Sequence, residues 1–278
     1  MKKVSRNLSI YAFMFLASMF YLIPLIVLLT TSLKPESQIL TRTWEWIPKT
    51  FTLDNYKLVL KNYPFIKWTI NSLVIASGTV FFTLITALPA GYAFAKLDFK
   101  GKNVLFTMVL LTIMVPFFAY TPQLYLLIDK LRMKNTYLGI ILPLTTSGVS
   151  VFLFRQFIIQ LPDELLEAAS LDGCTSFQTF FRIILPLSKP AITTSVIFTF
   201  VKAWNNLLWP LIASSNEATK PLTVGLALNV FGVTTGFMHQ PPYGLMMAAA
   251  FLSIISPIAL FIFLQRYFVQ GIATTGIK

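Results

Sequence analysis

The chain has 278 residues, of which 56% are hydrophobic and 12% charged, and its mean hydropathy of +0.72 is too high for an ordinary soluble domain. Its formal net charge of +12 fits basic residues that flank membrane spans and meet anionic headgroups better than it fits nucleic-acid binding. A single cysteine, Cys174, excludes an intrachain disulfide, and a single histidine, His239, leaves no cluster of His and Cys residues for a metal ion.

Six long apolar runs follow one another along the chain, at residues 10–31, 68–95, 104–128, 136–154, 191–215 and 241–265. A bilayer core about 30 Å thick requires roughly 20 apolar residues per helix, so each run predicts one membrane-spanning helix. Only the fifth run contains a charged residue, Lys202. The first run follows basic residues but is too long for the apolar part of a signal peptide and lacks a clear cleavage site, so we interpret it as a signal anchor.

Six spans place both termini on one side of the membrane, together with a polar insert at residues 161–189 between spans four and five. Lys and Arg residues divide almost evenly between the two sides, so the charge distribution does not orient the protein. Several spans contain prolines, which we expect to kink the helices because proline removes a backbone donor. These are Pro89, Pro116, Pro122, Pro143, Pro210 and Pro257.

The insert pattern predicts two short helices separated by a turn. The stretch Leu161-Pro162-Asp163-Glu164 places a proline and two acids where a helix begins, and the helix dipole favours negative charge there. Gly173 predicts a left-handed stop. A second helix is expected over residues 176–184, ending at Leu185-Pro186. Such an element at the membrane surface is either a docking site for another protein or an ordinary amphipathic connector, and its composition leaves both open.

The insert resembles a known motif residue for residue. Glu167-Ala168-Ala169, then Gly173, Ile183 and Leu185-Pro186, match the EAA motif of membrane subunits of binding-protein-dependent ABC importers. In that family the loop is cytoplasmic and fits a cleft in the ATP-hydrolysing subunit, where its glutamate pairs with a basic residue. The resemblance therefore implies a cytoplasmic N-terminus. It also implies an ATPase-docking site formed by Glu167, Ala168, Ala169, Asp172, Gly173, Leu185 and Pro186.

The resemblance extends over the chain from about Ser32 onward. The stretches that carry it are NYKLVL from Asn55, NSLVIAS from Asn71, NTYLGIILP at 135–143, AWNNLLWPL at 203–211 and the tail QRYFVQGIATTGIK. They are similar to the carbohydrate-uptake branch, and specifically to the smaller membrane component of maltose-type transporters. In those relatives the loop before the last span reaches into the external binding protein and the C-terminal tail enters the ATPase dimer. These roles carry over, as expectations, to residues 216–240 and 271–278.

The expected fold is an all-α integral membrane protein of the type I ABC importer permease kind, with six transmembrane helices and a cytoplasmic coupling helix between spans four and five. Residues 1–66 would form the N-terminal tail, the first span and an external segment. Residues 67–268 would form a permease core of five spans that contains the EAA loop, and residues 269–278 a cytoplasmic tail. Both termini would be cytoplasmic, in a bacterial or archaeal cell membrane.

The expected partners are those of the family. They are a second permease subunit in a heterodimer, two copies of a cytoplasmic ATPase, an extracellular or periplasmic solute-binding protein and the lipid bilayer, with no nucleic acid. The chain itself lacks a phosphate-binding loop, because KGKN at 100–103 has neither the upstream glycine nor the Ser or Thr that would hold magnesium. No cofactor is therefore expected in this chain, and ATP with Mg²⁺ is expected on the ATPase.

Lys202 is the one charge inside a predicted span, where a lysine costs roughly 2.5–3.5 kcal/mol on insertion scales, so it is expected to face protein or water. With Trp204, Asn205 and Asn206 it supplies donors, amides and an aromatic face for a sugar. Successive residues point around a helix, so the four cannot all face one cavity. A structural contact between helices is the alternative. If Lys202 lines the pathway, an acidic sugar such as a uronate oligosaccharide, or glycerol phosphate, becomes a candidate substrate.

Two other function classes are weaker. A secondary transporter would need a buried carboxylate for proton coupling, and all ten acids fall outside the predicted spans. An intramembrane enzyme would need an acid/base or nucleophile set, which one histidine and one cysteine do not supply. The sequence favours the permease subunit of an ATP-driven importer for a sugar or oligosaccharide.

Overall fold

The computed structural model describes residues 2–41, 45–232 and 241–275, with side chains within 10–41, 45–232 and 241–265. Across these ranges the regular structure is helical, without a β-strand. We number the helices in chain order. They are α1 (Lys2–Ser32), α2 (Asp54–Asn62), α3 (Phe65–Lys96), α4 (Lys102–Met114), α5 (Phe117–Lys130), α6 (Tyr137–Thr145), α7 (Gly148–Ile159), α8 (Glu164–Leu171), α9 (Ser176–Leu187), α10 (Lys189–Trp204), α11 (Leu208–Ala213), α12 (Leu222–Phe231) and α13 (Tyr243–Thr275).

Three of the apolar runs are single continuous helices that are long enough to cross a membrane: Ile10–Ser32 within α1, all of α3, and Tyr243–Gln265 within α13. Three other candidates are pairs of helices bent at a short break, namely α4 with α5 by 99°, α6 with α7 by 48° and α9 with α10 by 74°. The described residues therefore provide six crossings if each bent pair forms one span.

The runs 104–128, 136–154 and 191–215, each predicted to form one spanning helix with proline kinks, are interrupted in the structure. Only the first of these breaks coincides with a proline, Pro116, whereas Pro89, Pro122, Pro143 and Pro257 lie inside continuous helices. The run 191–215 ends as a helix at Trp204, and a separate short helix, α11, follows after three residues. At this break the side-chain oxygen of Asn206 accepts from the Trp209 N–H, in the first turn of α11, at 3.2 Å.

The break between α6 and α7 has both a local and a tertiary cause. The Ser147 hydroxyl accepts from the Ser150 N–H at 3.2 Å and caps α7. Gly148 allows a close approach to α4, because a Cβ atom at this position would lie 2.8 Å from Thr112 Oγ1 and 2.9 Å from the Val109 carbonyl oxygen. The glycine thus lets the beginning of α7 pack directly against α4.

The chain divides into two compact units, Met1–Lys67 with Gly225–Ile255 and Trp68–Val224 with Ser256–Lys278. In the first unit, the Asn55 amide donates to the carbonyl oxygens of Ser32 (2.9 Å) and Lys34 (2.8 Å). The Glu36 carboxylate accepts from the backbone N–H groups of Tyr243 and Gly244 at 2.8 and 3.0 Å. A carboxylate at the beginning of α13 satisfies donors that the helix leaves open and complements its dipole.

The second unit contains two apolar clusters. One packs α3, α7, α9 and α10 together beside the insert, and its buried members are Ala87, Leu88, Tyr92, Phe154, Ile158, Phe180, Ile184 and Ala191. The other packs α3, α5, α6 and α11 together, and its buried members are Ile75, Ile128, Ile140, Ile141, Trp209 and Ala213. Together the two clusters pack α3 against two bent pairs of helices, α6 with α7 and α9 with α10.

At the end of α3 far from the insert, hydrogen bonds fix the segment between α11 and α12. The Asn71 amide donates to the carbonyl oxygens of Ala218 (3.1 Å) and Lys220 (2.8 Å) and accepts from the Tyr137 hydroxyl at 2.7 Å. The Ser72 hydroxyl accepts from the Leu222 N–H at 2.8 Å. The polar residues of the NSLVIAS stretch therefore hold this segment in place.

Candidate functional site

The insert forms two helices joined by a tight turn. α8 follows Asp163, and Gly173 has a φ of 76°, the left-handed conformation that the sequence predicts. The second helix begins with a capping box that the sequence analysis missed. In it the Thr175 hydroxyl accepts from the Gln178 N–H at 3.3 Å, and the Gln178 side chain accepts from the Thr175 N–H at 2.8 Å.

The second helix ends one residue beyond the predicted Leu185-Pro186. α9 continues to Leu187, and the break comes at Ser188. A π-helical turn over Phe180–Ile184 ends two residues before Pro186. Because this wider turn shifts the hydrogen bonding, it accommodates a ring that would otherwise clash with the preceding turn of an α-helix.

The outer surface of the insert combines acidic, small and large apolar residues. Glu167, Ala168, Asp172, Gly173 and Pro186 are exposed, Leu185 is half-buried, and Ala169 is buried with 3% of its surface exposed. Beside them, Leu171 is 89% exposed and Phe177 is 73% exposed. These two large apolar side chains are therefore left uncovered by the described part of the chain. The sequence analysis did not place Leu171 in the site. Its position directly before Asp172, which the predicted docking site does include, could have indicated it.

A lysine at the end of α3 anchors the insert. Lys96 Nζ donates to the Leu161 carbonyl oxygen at 2.7 Å and to Asp163 Oδ1 at 2.6 Å. Nearby, the rings of Tyr92 and Phe180 lie 5.6 Å apart, so α3 and α9 also make an apolar contact. The sequence analysis missed Lys96, although a basic residue that ends a long apolar run is a recognisable anchor.

A cavity of about 1140 Å³ lies in the second unit where three helix breaks meet. Its lining includes Val115 and Pro116 between α4 and α5, Thr146 and Ser147 between α6 and α7, and the residues 205–207 between α10 and α11. Broken helices expose backbone polar groups, which a membrane protein tolerates where they line a water-filled space. The cavity thus lies where three helices of the second unit are interrupted.

Hydroxyl, amide and aromatic groups line this cavity. Among its described lining residues, Lys202 carries the only formal charge. The other polar and aromatic side chains are Thr86, Thr112, Thr145, Thr146, Ser147, Asn205, Asn206, Phe117, Phe118 and Tyr120. A few polar groups within an otherwise apolar concave surface are typical of a small-molecule site.

The structure brings together three of the four pathway candidates. Lys202, Asn205 and Asn206 line the cavity. Trp204 does not, because it is 4% exposed and stacks on Phe200 with ring centroids 5.7 Å apart. Each residue of an α-helix turns by about 100°, so Trp204 lies on a different face of α10 from Lys202.

Other expected functional segments are described only in part. Of the predicted binding-protein loop, residues 233–240 lie outside the described residues, and so does His239. Of the predicted tail, residues 276–278 lie outside them. Among the described residues, no three His, Cys, Asp or Glu side chains come together in a group that could hold a metal ion.

Bent apolar spans, an exposed helical insert at one end and a cavity at the helix breaks define a multi-pass membrane transport protein. Residues 87–274 match the family described as "Binding-protein-dependent transport system inner membrane component". The chain belongs to this family, and the resemblance first indicated by the insert is confirmed. Its all-helical fold is that of a type I ABC importer permease.

The similarity to individual relatives extends over three quarters of the chain or more. The "Arabinooligosaccharides transport system permease protein AraQ" of Bacillus subtilis is 36% identical over 277 residues, which span 98% of this chain and 96% of the relative. The "sn-glycerol-3-phosphate transport system permease protein UgpE" of Yersinia enterocolitica is 34% identical over 75% of this chain and 73% of its own length. A solved bacterial ABC transporter involved in the import of the acidic polysaccharide alginate has a chain with the same fold, with a TM-score of 0.82 at 22% identity over 95% of this chain and 98% of that chain.

Proposed function

We propose that this chain is the permease subunit of an ATP-driven importer that carries a sugar or oligosaccharide across the cell membrane. The observation that carries the proposal is the cavity at the three helix breaks, because its hydroxyl, amide and aromatic groups suit a neutral polyol. The arabinooligosaccharide permease, which is similar to this chain over nearly its full length, supports the same substrate class.

The energy source in this proposal is a separate ATPase subunit, present in two copies and bound at the insert. Glu167, Ala168 and Asp172 supply the exposed polar and small surface, and Leu171 and Phe177 supply apolar contacts around it. A second permease would complete the pathway, and a solute-binding protein would deliver the sugar at residues 216–240. The insert and both termini are then cytoplasmic, and residues 271–278 contact the ATPase dimer.

Two helical connections would carry motion from the insert to the cavity. α9 leads across the break at Ser188 into α10, whose 16 residues correspond to about 24 Å of helix. The far end of α10 carries Lys202 and leads into Asn205, both of which line the cavity. The second connection is α3, which holds the insert through Lys96 and lines the cavity through Thr86. Movement of the docked insert would therefore alter the cavity wall from two sides.

A second candidate is an importer of an anionic solute, such as a uronate oligosaccharide or glycerol phosphate. The observation in its favour is Lys202, whose ammonium group is the one formal charge among the described lining residues. A charge-assisted hydrogen bond from Lys202 to a carboxylate or phosphate is stronger than one between neutral groups. The similar glycerol-3-phosphate permease supports this alternative.

ATP-driven uptake tests the proposal directly. The chain, co-purified with its partner subunits, is reconstituted into proteoliposomes with ATP and Mg²⁺ inside and its binding protein outside. Labelled arabinotriose and tri-galacturonate serve as neutral and anionic probes. We expect uptake of at least one of the two probes to require hydrolysable ATP. Uptake that follows a proton gradient without ATP would instead support a secondary transporter.

A further inference from the structure

A second cavity, of about 620 Å³, opens beside the turn between α3 and α4. Its polar lining residues are Asp98, Lys100, Lys102, Asn103 and Arg155. Three cationic side chains therefore face one acid. Lys102 lies 3.6 Å from Asp98, whose side chain is fully exposed, and an ion pair of this kind contributes little and leaves the lysine available. This cavity is thus a positively charged recess, and it shares no lining residue with the larger cavity at the helix breaks.

Arg155 is held in a fixed orientation within this recess. Its Nε donates to the Phe94 carbonyl oxygen at 3.1 Å, and its guanidinium carbon lies 4.2 Å from the centre of the Phe106 ring. Within the described part of the chain, neither Nη group has a hydrogen-bond partner. A planar guanidinium that is fixed by its neighbours and keeps free donors is suited to bind the oxygens of a phosphate group.

The recess lies where a helix enters the membrane. The contact between Lys96 and Leu161 places the α3–α4 turn at the same end of the bundle as the insert. α4 begins at Lys102, and one face of it carries Val104, Met108 and Leu111, which are 60%, 55% and 54% exposed. Their spacing of four and three residues forms an apolar row that starts beside the recess. A charged recess followed by an exposed apolar row matches the headgroup and acyl chain of a lipid.

We propose that this recess binds the phosphate headgroup of an anionic phospholipid, with one acyl chain lying along α4. Lys100, Lys102 and Arg155 donate to the phosphate oxygens, and the Asn103 amide adds a neutral donor. Gly101, with a φ of 83°, makes the turn that places both lysines at the beginning of α4, where no side chain caps the helix. Basic pockets between membrane helices bind phospholipid headgroups by this chemistry.

The test uses the complete importer, purified in mild detergent, with phosphatidylglycerol and phosphatidylcholine as probes and native mass spectrometry as the readout. The variant is Lys100→Gln with Lys102→Gln, which leaves Arg155 and its packing intact. The control is Lys61→Gln with Lys130→Gln, which removes the same charge at two exposed lysines outside the recess. Each lysine near a phosphate headgroup contributes about 1 kcal/mol, so the variant should bind phosphatidylglycerol about thirty-fold more weakly.

We expect the wild type and the control to retain one more phosphatidylglycerol than the variant, with equal retention of phosphatidylcholine by all three. Equal retention of phosphatidylglycerol by the variant and the wild type would overturn the proposal. So would displacement of the lipid by millimolar inorganic phosphate, because the recess would then be a site for a soluble anion. The wild type could also hold no exchangeable lipid at all. The second permease would then occupy this face of α4, and the proposal would be overturned.

Discussion

The ammonium group of Lys96 lies 2.6 Å from the carboxylate of Asp163, so the last residue of α3 is joined to the residue that precedes α8. The lysine side chain is 7% exposed and the aspartate 74%. A second bond from Lys96 to the Leu161 carbonyl oxygen continues the contact into the insert. The lysine therefore holds the short segment that joins α7 to α8.

Lys96→Met is expected to separate ATP hydrolysis from transport. The substitution leaves the Leu161 carbonyl oxygen and the Asp163 carboxylate without their donor. Loss of the bond to the partly buried carbonyl oxygen costs about 1–3 kcal/mol in the free energy of unfolding. The measurement is sugar uptake per ATP hydrolysed in proteoliposomes, and we expect a decrease of several-fold while the ATPase still co-purifies. Lys96→Arg should restore much of the ratio, since a guanidinium can donate to both acceptors. An unchanged ratio in Lys96→Met would show that the contact is only structural.

Lys202→Gln is expected to change the selectivity for charge rather than the overall rate. Loss of a hydrogen bond to a charged group costs about 1.5–3 kcal/mol, so uptake of an anionic probe should decrease at least about tenfold. Uptake of neutral arabinotriose should stay within about twofold. Lys189→Gln is the matched control, because this exposed lysine begins the same helix and does not line the cavity. Equal decreases for both probes would contradict a role in charge selection.

Gly148→Ala is expected to destabilise the bend between α6 and α7. The added methyl group would lie 2.8 Å from Thr112 Oγ1 and 2.9 Å from the Val109 carbonyl oxygen, so the beginning of α7 must move. Overpacking of this kind costs about 1–3 kcal/mol, measurable as a lower thermal midpoint of the purified complex. Thr112→Ala in the same chain should recover part of the loss. Full stability of Gly148→Ala would show that α4 and α7 are not tightly packed here.

The comparison of sequence with structure separates local from tertiary causes. The position of the insert and the left-handed Gly173 follow from local signals, and both could be predicted. The breaks at Thr146–Ser147 and after Trp204 could not be predicted from prolines. They coincide with the Ser147 cap, with the bond between Asn206 and the Trp209 N–H, and with the contact of Gly148 with α4. Lys202 could be singled out by its charge alone. Lys202 lies in one cavity with the α4–α5 and α6–α7 breaks only because these helices, distant in sequence, pack together.

In the proposed mechanism a separate ATPase drives this permease through the insert, and the most direct measurement is a mild-detergent pull-down from native membranes. The wild-type chain, Glu167→Ala and Glu164→Ala are compared, because both glutamates are exposed on α8 and only Glu167 belongs to the EAA motif. We predict that the wild type and Glu164→Ala recover an ATPase and a second permease. Glu167→Ala should recover the permease with at least tenfold less ATPase, since it loses a charge-assisted pair. Recovery of the wild-type chain alone or as a homo-oligomer, under conditions that preserve an importer, would contradict the account.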